Sequence, residues 1–75
     1  MLKIVAKNVV RLGGATFDYE LEDGTLLHGS EWNGECYTVR EWDGEAYVVK
    51  SLCYPVYSKT SNENNGHDVV GFERR

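Results

Sequence analysis

EWNGECYTVR (residues 31–40) runs directly into EWDGEAYVVK (residues 41–50), so the chain writes nearly the same ten residues twice. The Asx-Gly pair inside each copy belongs to a longer series. Gly13-Gly14, Asp23-Gly24, Asn33-Gly34 and Asp43-Gly44 stand ten residues apart. Each is a preferred occupant of a two-residue type I′ hairpin turn, which holds both central residues at positive φ. Glycine reaches that region freely, and Asn or Asp tolerates it better than other residues do. Removing the turn residues predicts strands over 3–12, 15–22, 25–32, 35–42 and 45–52. The expected fold is all-β: an up-and-down antiparallel meander of five strands.

The face pattern follows from the turns. A two-residue hairpin pairs positions of opposite parity, so the inward set switches parity at each reversal. Starting from Ile4, Ala6, Val10 and Leu12, the core face then collects Phe17, Tyr19 and Leu21. Next come Leu26, His28, Ser30 and Trp32, then Tyr37 and Val39, and last Ala46, Val48 and Leu52. Lys3, Lys7, Arg11, Asp18, Glu20, Glu22, Arg40 and Glu45 take the other face. On this reading the two repeats share turn chemistry, but Trp32 and Tyr37 point inward while Trp42 and Tyr47 point outward. A G1 bulge at Gly44 would instead preserve parity and bring Tyr47 and Val49 inward.

Two stretches lie outside the period. In the N-terminal run, Lys3, Lys7 and Arg11 have helical spacing, but Ile4, Val5, Val9 and Val10 are β-branched and no capping residue opens the segment. Strand is the better reading, and the three cations then protect an edge. After Leu52 the repeat stops. Pro55 argues against a central ladder position, Val56-Tyr57 and residues 69–72 read as a C-terminal hairpin, and the polar loop 59–66 is expected to be mobile. A sheet of this size twists, and closing it with the last strands gives a small SH3-like or similar barrel. That likeness is one of architecture and carries no function.

The 75 residues make a single domain spanning 1–75, with 41% hydrophobic residues and one proline, which argues against disorder. The formal net charge of −4 opposes attraction to nucleic acid or anionic lipid and favours a basic partner. No apolar run approaches membrane-spanning length, and Lys3, Lys7 and Arg11 break up any signal-like block, so a cytoplasmic location is expected. Two cysteines are too few for a stapled scaffold, and Cys36 and Cys53 are expected as buried free thiols.

Motifs for chemistry are absent. His28, Cys36, Cys53 and His67 lack zinc-site spacing. Ser30 and His28 share a predicted core face without a nucleophile elbow around them, which suits a buried hydrogen-bonded pair. Gly13-Gly14 lacks the Lys and helix of a phosphate loop, so no cofactor is expected. The turns at 23–24 and 43–44 fall at one end of the meander and gather Glu22, Asp23, Glu41, Asp43 and Glu45. Exposed turn ends seldom shift one carboxylate against another, so an enzyme is not expected.

The favoured reading is a non-enzymatic, acidic protein-interaction module whose partner has a basic surface. Rigidly spaced carboxylates can occupy a groove built for phosphates, as inhibitors from phages and mobile elements, anti-CRISPR-like proteins among them, do. Trp42, Tyr47 and Leu27, with Arg40 beside them, form the expected apolar part of the surface, in residue types that dominate interface hot spots. The alternatives are a structural role or a small barrel that binds nucleic acid or a small ligand. A local basic face of Lys3, Lys7, Arg11, Arg40, Lys50, Arg74 and Arg75 would serve the nucleic-acid version.

Overall fold

The computed structural model describes residues 1–58 and 68–75, which leaves the loop 59–66 and His67 outside the described residues. Six strands form: β1 (Leu2–Val10), β2 (Thr16–Leu21), β3 (Leu26–Leu27), β4 (Tyr37–Trp42), β5 (Tyr47–Tyr57) and β6 (Val69–Arg74). Single 3₁₀ turns lie at Leu12–Gly14 and Gly29–Glu31. The strands make one antiparallel sheet in the order β3-β2-β1-β6-β5-β4, and the edge strands β3 and β4 come back into contact. The sheet is therefore nearly closed into a small barrel, with the C-terminal strand inserted between β1 and β5.

All four reversals occur, but their geometry departs from a uniform type I′ series. The first two are three-residue loops. Arg11 N–H donates to Ala15 O and Leu21 N–H to Thr25 O, each at 2.8 Å. Gly24, at φ 91°, donates back to Leu21 O at 2.9 Å, the arrangement of a turn followed by a bulge glycine. A loop of odd length keeps paired residues at the same parity, and Val9 pairs with Phe17 while Tyr19 pairs with Leu27. Leu27 is consequently buried, and the expected outer patch loses it.

The two turns of the repeat are two-residue turns displaced by one position. Asn33 N–H donates to Cys36 O (3.1 Å) and Asp43 N–H to Ala46 O (3.0 Å), so Gly34-Glu35 and Gly44-Glu45 are central. Asn33 Oδ1 accepts from the amides of Glu35 and Cys36, both at 2.9 Å. Asp43 Oδ1 does the same for Glu45 (2.8 Å) and Ala46 (2.9 Å). The Asx residue thus contributes a side-chain acceptor rather than a left-handed backbone. Among the described residues, Asn8 alone is a non-glycine at positive φ.

Parity flips at the last turn, without the alternative bulge at Gly44. Tyr37 is buried and its repeat counterpart Tyr47 is exposed. An extra residue in β5, between the pairs Val39–Ser51 and Arg40–Val49, then resets the register. Cys53, rather than Leu52, pairs with Tyr37 and is buried. Ala46, expected inward, is exposed.

The largest correction concerns residues 25–32, where strand survives only at Leu26–Leu27. The chain leaves the sheet after Leu27 and turns at Gly29, which passes close over the Asp18 carboxylate. His28 and Ser30 are exposed instead of forming a buried pair, and the His28 ring packs 4.2 Å from that of Phe17. Val10 and Leu12 are exposed too: β1 carries an extra residue between Ile4 and Ala6 and a positive φ at Asn8, which turn Val10 outward, and Leu12 lies in the 3₁₀ turn beyond the strand.

Pro55 lies inside β5, opposite Phe72, against expectation. Leu52 and Arg75 exchange both backbone hydrogen bonds, so Tyr54–Glu73 is the next bonded pair and Pro55–Phe72 falls between bonded pairs. The missing donor of Pro55 faces the β4 side, where β4 has already ended at Tyr37. β1 is not simply an edge strand either. Leu2 and Lys3 pair with β6, and the paired stretch ends there, so Lys7 and Arg11 keep an edge-like setting but Lys3 does not.

Leu21, Leu27, Tyr37, Cys53 and Phe72 form the buried core, with Leu2, Ile4, Tyr19, Val39 and Val69 packed on it. Tyr19, Tyr37 and Phe72 meet edge to face at 5.3–6.2 Å, a geometry that adds to simple area burial. Cys36 and Cys53 are buried free thiols. No helix among the described residues is long and apolar enough to cross a membrane.

Candidate functional site

The repeated sequence builds the same small unit twice. In each copy a Trp and a Tyr flank the Asx-capped turn as cross-strand neighbours, Trp32 with Tyr37 and Trp42 with Tyr47. The ring centroids are 4.9 Å and 5.2 Å apart, inclined at 51° and 65°. Opposite parity sends one unit toward the core and the other to solvent. Trp42 is 58% exposed and Tyr47 66%.

Around the outer unit stand Glu41, Asp43 and Glu45. The ion pairs among the described residues are Glu73 with the N-terminus, Arg11–Glu20, Arg40–Glu31 and Arg74–Asp23, and none uses these three carboxylates. Asp43 is engaged by its own turn, and the backbone amides of Ala46 and Glu45 hold its carboxyl below the usual carboxylate range. It therefore stays ionised through mildly acidic conditions.

The remaining expected site residues have internal partners. Strand directions put the turns 22–24 and 43–46 at the same end of the sheet. Glu22, however, accepts the Lys3 backbone N–H at 2.7 Å. Asp23 lies 2.7 Å from the Arg74 guanidinium and accepts the Thr25 N–H at 3.0 Å. Arg40 grips Glu31 at 3.0 Å, and the Thr38 hydroxyl donates to the same carboxylate. The tip of the β4–β5 hairpin thus presents Glu41, Trp42, Glu45 and Tyr47, together with Asp43, which its own turn holds by two amides and no ion pair among the described residues neutralises.

A second surface was not legible in the sequence. A cleft of about 250 Å³ opens beside the inner repeat unit, lined by Asp18, Tyr19, Trp32, Tyr37, Tyr57 and Phe72 among others. Trp32 and Tyr57, 38% and 46% exposed, sit at its rim, while Phe72 and Tyr37 are buried below. The Tyr37 hydroxyl donates to Asp18 Oδ2 at 2.7 Å. Burial first, and then this bond to Asp18, push the Tyr37 phenol well above its ordinary value. Burial and the Asp18 charge raise Tyr19 as well. Tyr19, Trp32 and Tyr37 read as core from sequence and Asp18 as outer surface; the crossing at Gly29, with β5 and β6 beside it, brings them together.

Another cleft, of about 380 Å³, lies along the seam between β3 and β4, where Leu26, His28 and Tyr47 are among the lining residues. Of the candidate metal ligands, His28 is exposed on Phe17, the two cysteines are buried, and His67 lies outside the described residues. No group of three His, Cys, Asp or Glu side chains suited to a metal occurs among the described residues. Burial raises the Cys53 thiol, which keeps it protonated and poorly nucleophilic at neutral pH. No family model matches the chain, and neither a curated protein nor a solved structure is found to resemble it.

Proposed function

We propose that the chain is a non-enzymatic protein-interaction module that engages a basic surface of its partner through the tip of the β4–β5 hairpin. The observation that carries this reading is the exposed Trp42–Tyr47 pair set among Glu41, Asp43 and Glu45, none of which is ion-paired among the described residues. Trp and Tyr supply large contact area at low entropic cost, while the carboxylates select a partner rich in Lys and Arg. On a target that handles nucleic acid, such a tip competes with phosphate oxygens for the same Arg and Lys forks, so the module acts as an inhibitor. Two free cysteines suit a reducing cytoplasm.

The nucleic-acid reading has less to draw on. Arg11, Arg40 and Arg74 each hold a carboxylate, and Arg75 lies 4.3 Å over the Tyr54 ring. That leaves few of the expected cations to form a continuous face.

The test is affinity capture from the native host with the intact chain, Trp42→Ala, and a Glu41→Lys/Glu45→Lys variant. A basic protein retained by the intact chain and lost by both variants, with unchanged circular dichroism, is the expected result. Equal retention by Trp42→Ala, or duplex or single-stranded nucleic acid bound with a steep salt dependence, would remove the proposal.

A further inference from the structure

We propose that the cleft beside the inner repeat unit binds the methylated ammonium head of an organic cation, with Asp18 as its counter-charge. The site is separate from the hairpin tip and does not depend on the interaction proposed there.

Among the described residues, five aromatic side chains and one carboxylate line the cleft and define its chemistry. Tyr19, Tyr37 and Phe72 pack edge to face at the base, Trp32 is inclined against Tyr37, and the exposed rings of Trp32 and Tyr57 stand at the rim. Ring faces carry negative charge density and attract cations within about 6 Å of the centroid. The fold already uses this attraction elsewhere, where Arg75 covers Tyr54.

Among the described residues, Asp18 is the one carboxylate or cation lining the cleft. Its Oδ2 is held by the Tyr37 hydroxyl, and no ion pair among the described residues neutralises it. An anion is repelled by this arrangement, and a neutral ligand gains nothing from the charge. Gly29 contributes by lacking a side chain. A Cβ there would stand 3.1 Å from both Asp18 carboxylate oxygens, so the position lets the backbone cross without displacing the carboxylate.

Size and hydrogen-bonding capacity narrow the ligand. At about 250 Å³ the cleft falls below the roughly 300–1,000 Å³ typical of sites for whole drug-sized molecules. A compact head group fits that space. A bare ammonium keeps three N–H donors and a tight hydration shell, which an aromatic wall with one carboxylate cannot replace. Methylation removes the donors and gives the cation an apolar shell matched to the rings. A methylated lysine side chain and a free compound such as choline both carry such a head group.

The intact chain is titrated with choline and with 3,3-dimethyl-1-butanol, which has the same shape without the charge. Trp32 fluorescence in a Trp42→Phe background, and amide shifts around Asp18 and Tyr37, report binding. Choline is expected to saturate at a Kd on the order of 1 mM, with the alcohol at least about tenfold weaker. Asp18→Asn retains an acceptor for Tyr37 and is expected to weaken choline about tenfold while leaving the alcohol unchanged. A peptide carrying trimethyllysine binding more tightly than choline identifies a protein ligand; the reverse identifies a free compound. Equal affinity for choline and the alcohol overturns the proposal without requiring any variant at the cleft, as does an unmodified lysine peptide matching the trimethylated one. Absence of a saturable response to every cation overturns it too.

Discussion

Gly71→Ala tests how the sheet is joined at its middle. β1 meets β6 through two pairs, Leu2–Phe72 and Lys3–Gly71. A Cβ at residue 71 would lie 2.6 Å from the Leu2 carbonyl oxygen and 2.6 Å from Met1 Cγ and Sδ. The Met1 side chain can swing aside. The Leu2 oxygen belongs to the backbone of the joining pair, so relief there requires the strands to separate. Overpacking of this kind costs about 1–3 kcal/mol. Gly71 is not at positive φ, so alanine incurs no conformational strain and returns about 0.4–1 kcal/mol by restricting the unfolded chain. The net loss is about 1–2 kcal/mol, equivalent to a Tm lower by about 5–15 °C in a domain of this size. Thermal circular dichroism and urea titration measure it, with an unchanged m-value expected. Val70→Thr, at an exposed neighbouring position of the same strand, serves as control and should stay within about 0.5 kcal/mol. A Gly71→Ala protein as stable as the parent would refute the close approach of β1 to β6.

Other consequences are open to measurement. Asn33→Asp should leave stability nearly unchanged, since Asp43 performs the same role in the twin turn, whereas Asn33→Ala loses the two bonds that its side-chain oxygen accepts from backbone amides and about 1–2 kcal/mol by urea titration. Acid should weaken the fold in a defined window. Thr25, by its backbone amide and then its side chain, with Arg74, lowers the Asp23 carboxyl; the Thr38 hydroxyl and then Arg40 lower Glu31. Both folded values lie below the unfolded ones, so their contribution is complete above about pH 4.5 and is lost as pH falls through the folded values. A urea midpoint whose fall below about pH 4.5 is no smaller in Asp23→Asn/Glu31→Gln than in the parent would exclude these groups. At the alkaline end, Tyr37 has its folded value raised, so its contribution is present below about pH 10 and lost as pH rises through the folded value. Its phenolate absorbance should appear only with unfolding, and Tyr37→Phe should remove that step; ionisation of Tyr37 near pH 10 in the folded protein, which is about its free value, would contradict the bond to Asp18.

Turn spacing made the antiparallel fold readable, because glycine at fixed intervals is a local signal that tertiary packing seldom overrides. Loop length was less accessible. Gly24 serves as a bulge glycine and Gly44 as the first central residue of a two-residue turn, although both follow Asp. That difference decides whether Leu26 or Leu27 is buried, and it depends on what the following strand packs against. The hairpin tip could be read from Trp42, Tyr47 and their acidic neighbours because all lie within seven consecutive residues. Asp18 could not be recognised, since its surroundings come from the crossing at Gly29 and from β5 and β6. Pro55 misled for a related reason: its cost depends on where β4 ends, a non-local fact.

The join between β3 and β4 has a consequence for breathing motions. Every other neighbouring pair of strands is sewn by backbone hydrogen bonds, whereas beside β4 the side chain of Glu31 bonds Thr38 and Arg40. Opening there breaks a few side-chain contacts instead of a whole ladder. Amide exchange should accordingly be fastest along β3 and the outer rim of β4 and slowest between β5 and β6. The barrel then behaves like a cuff with a clasp, able to loosen on one side while the opposite wall stays shut.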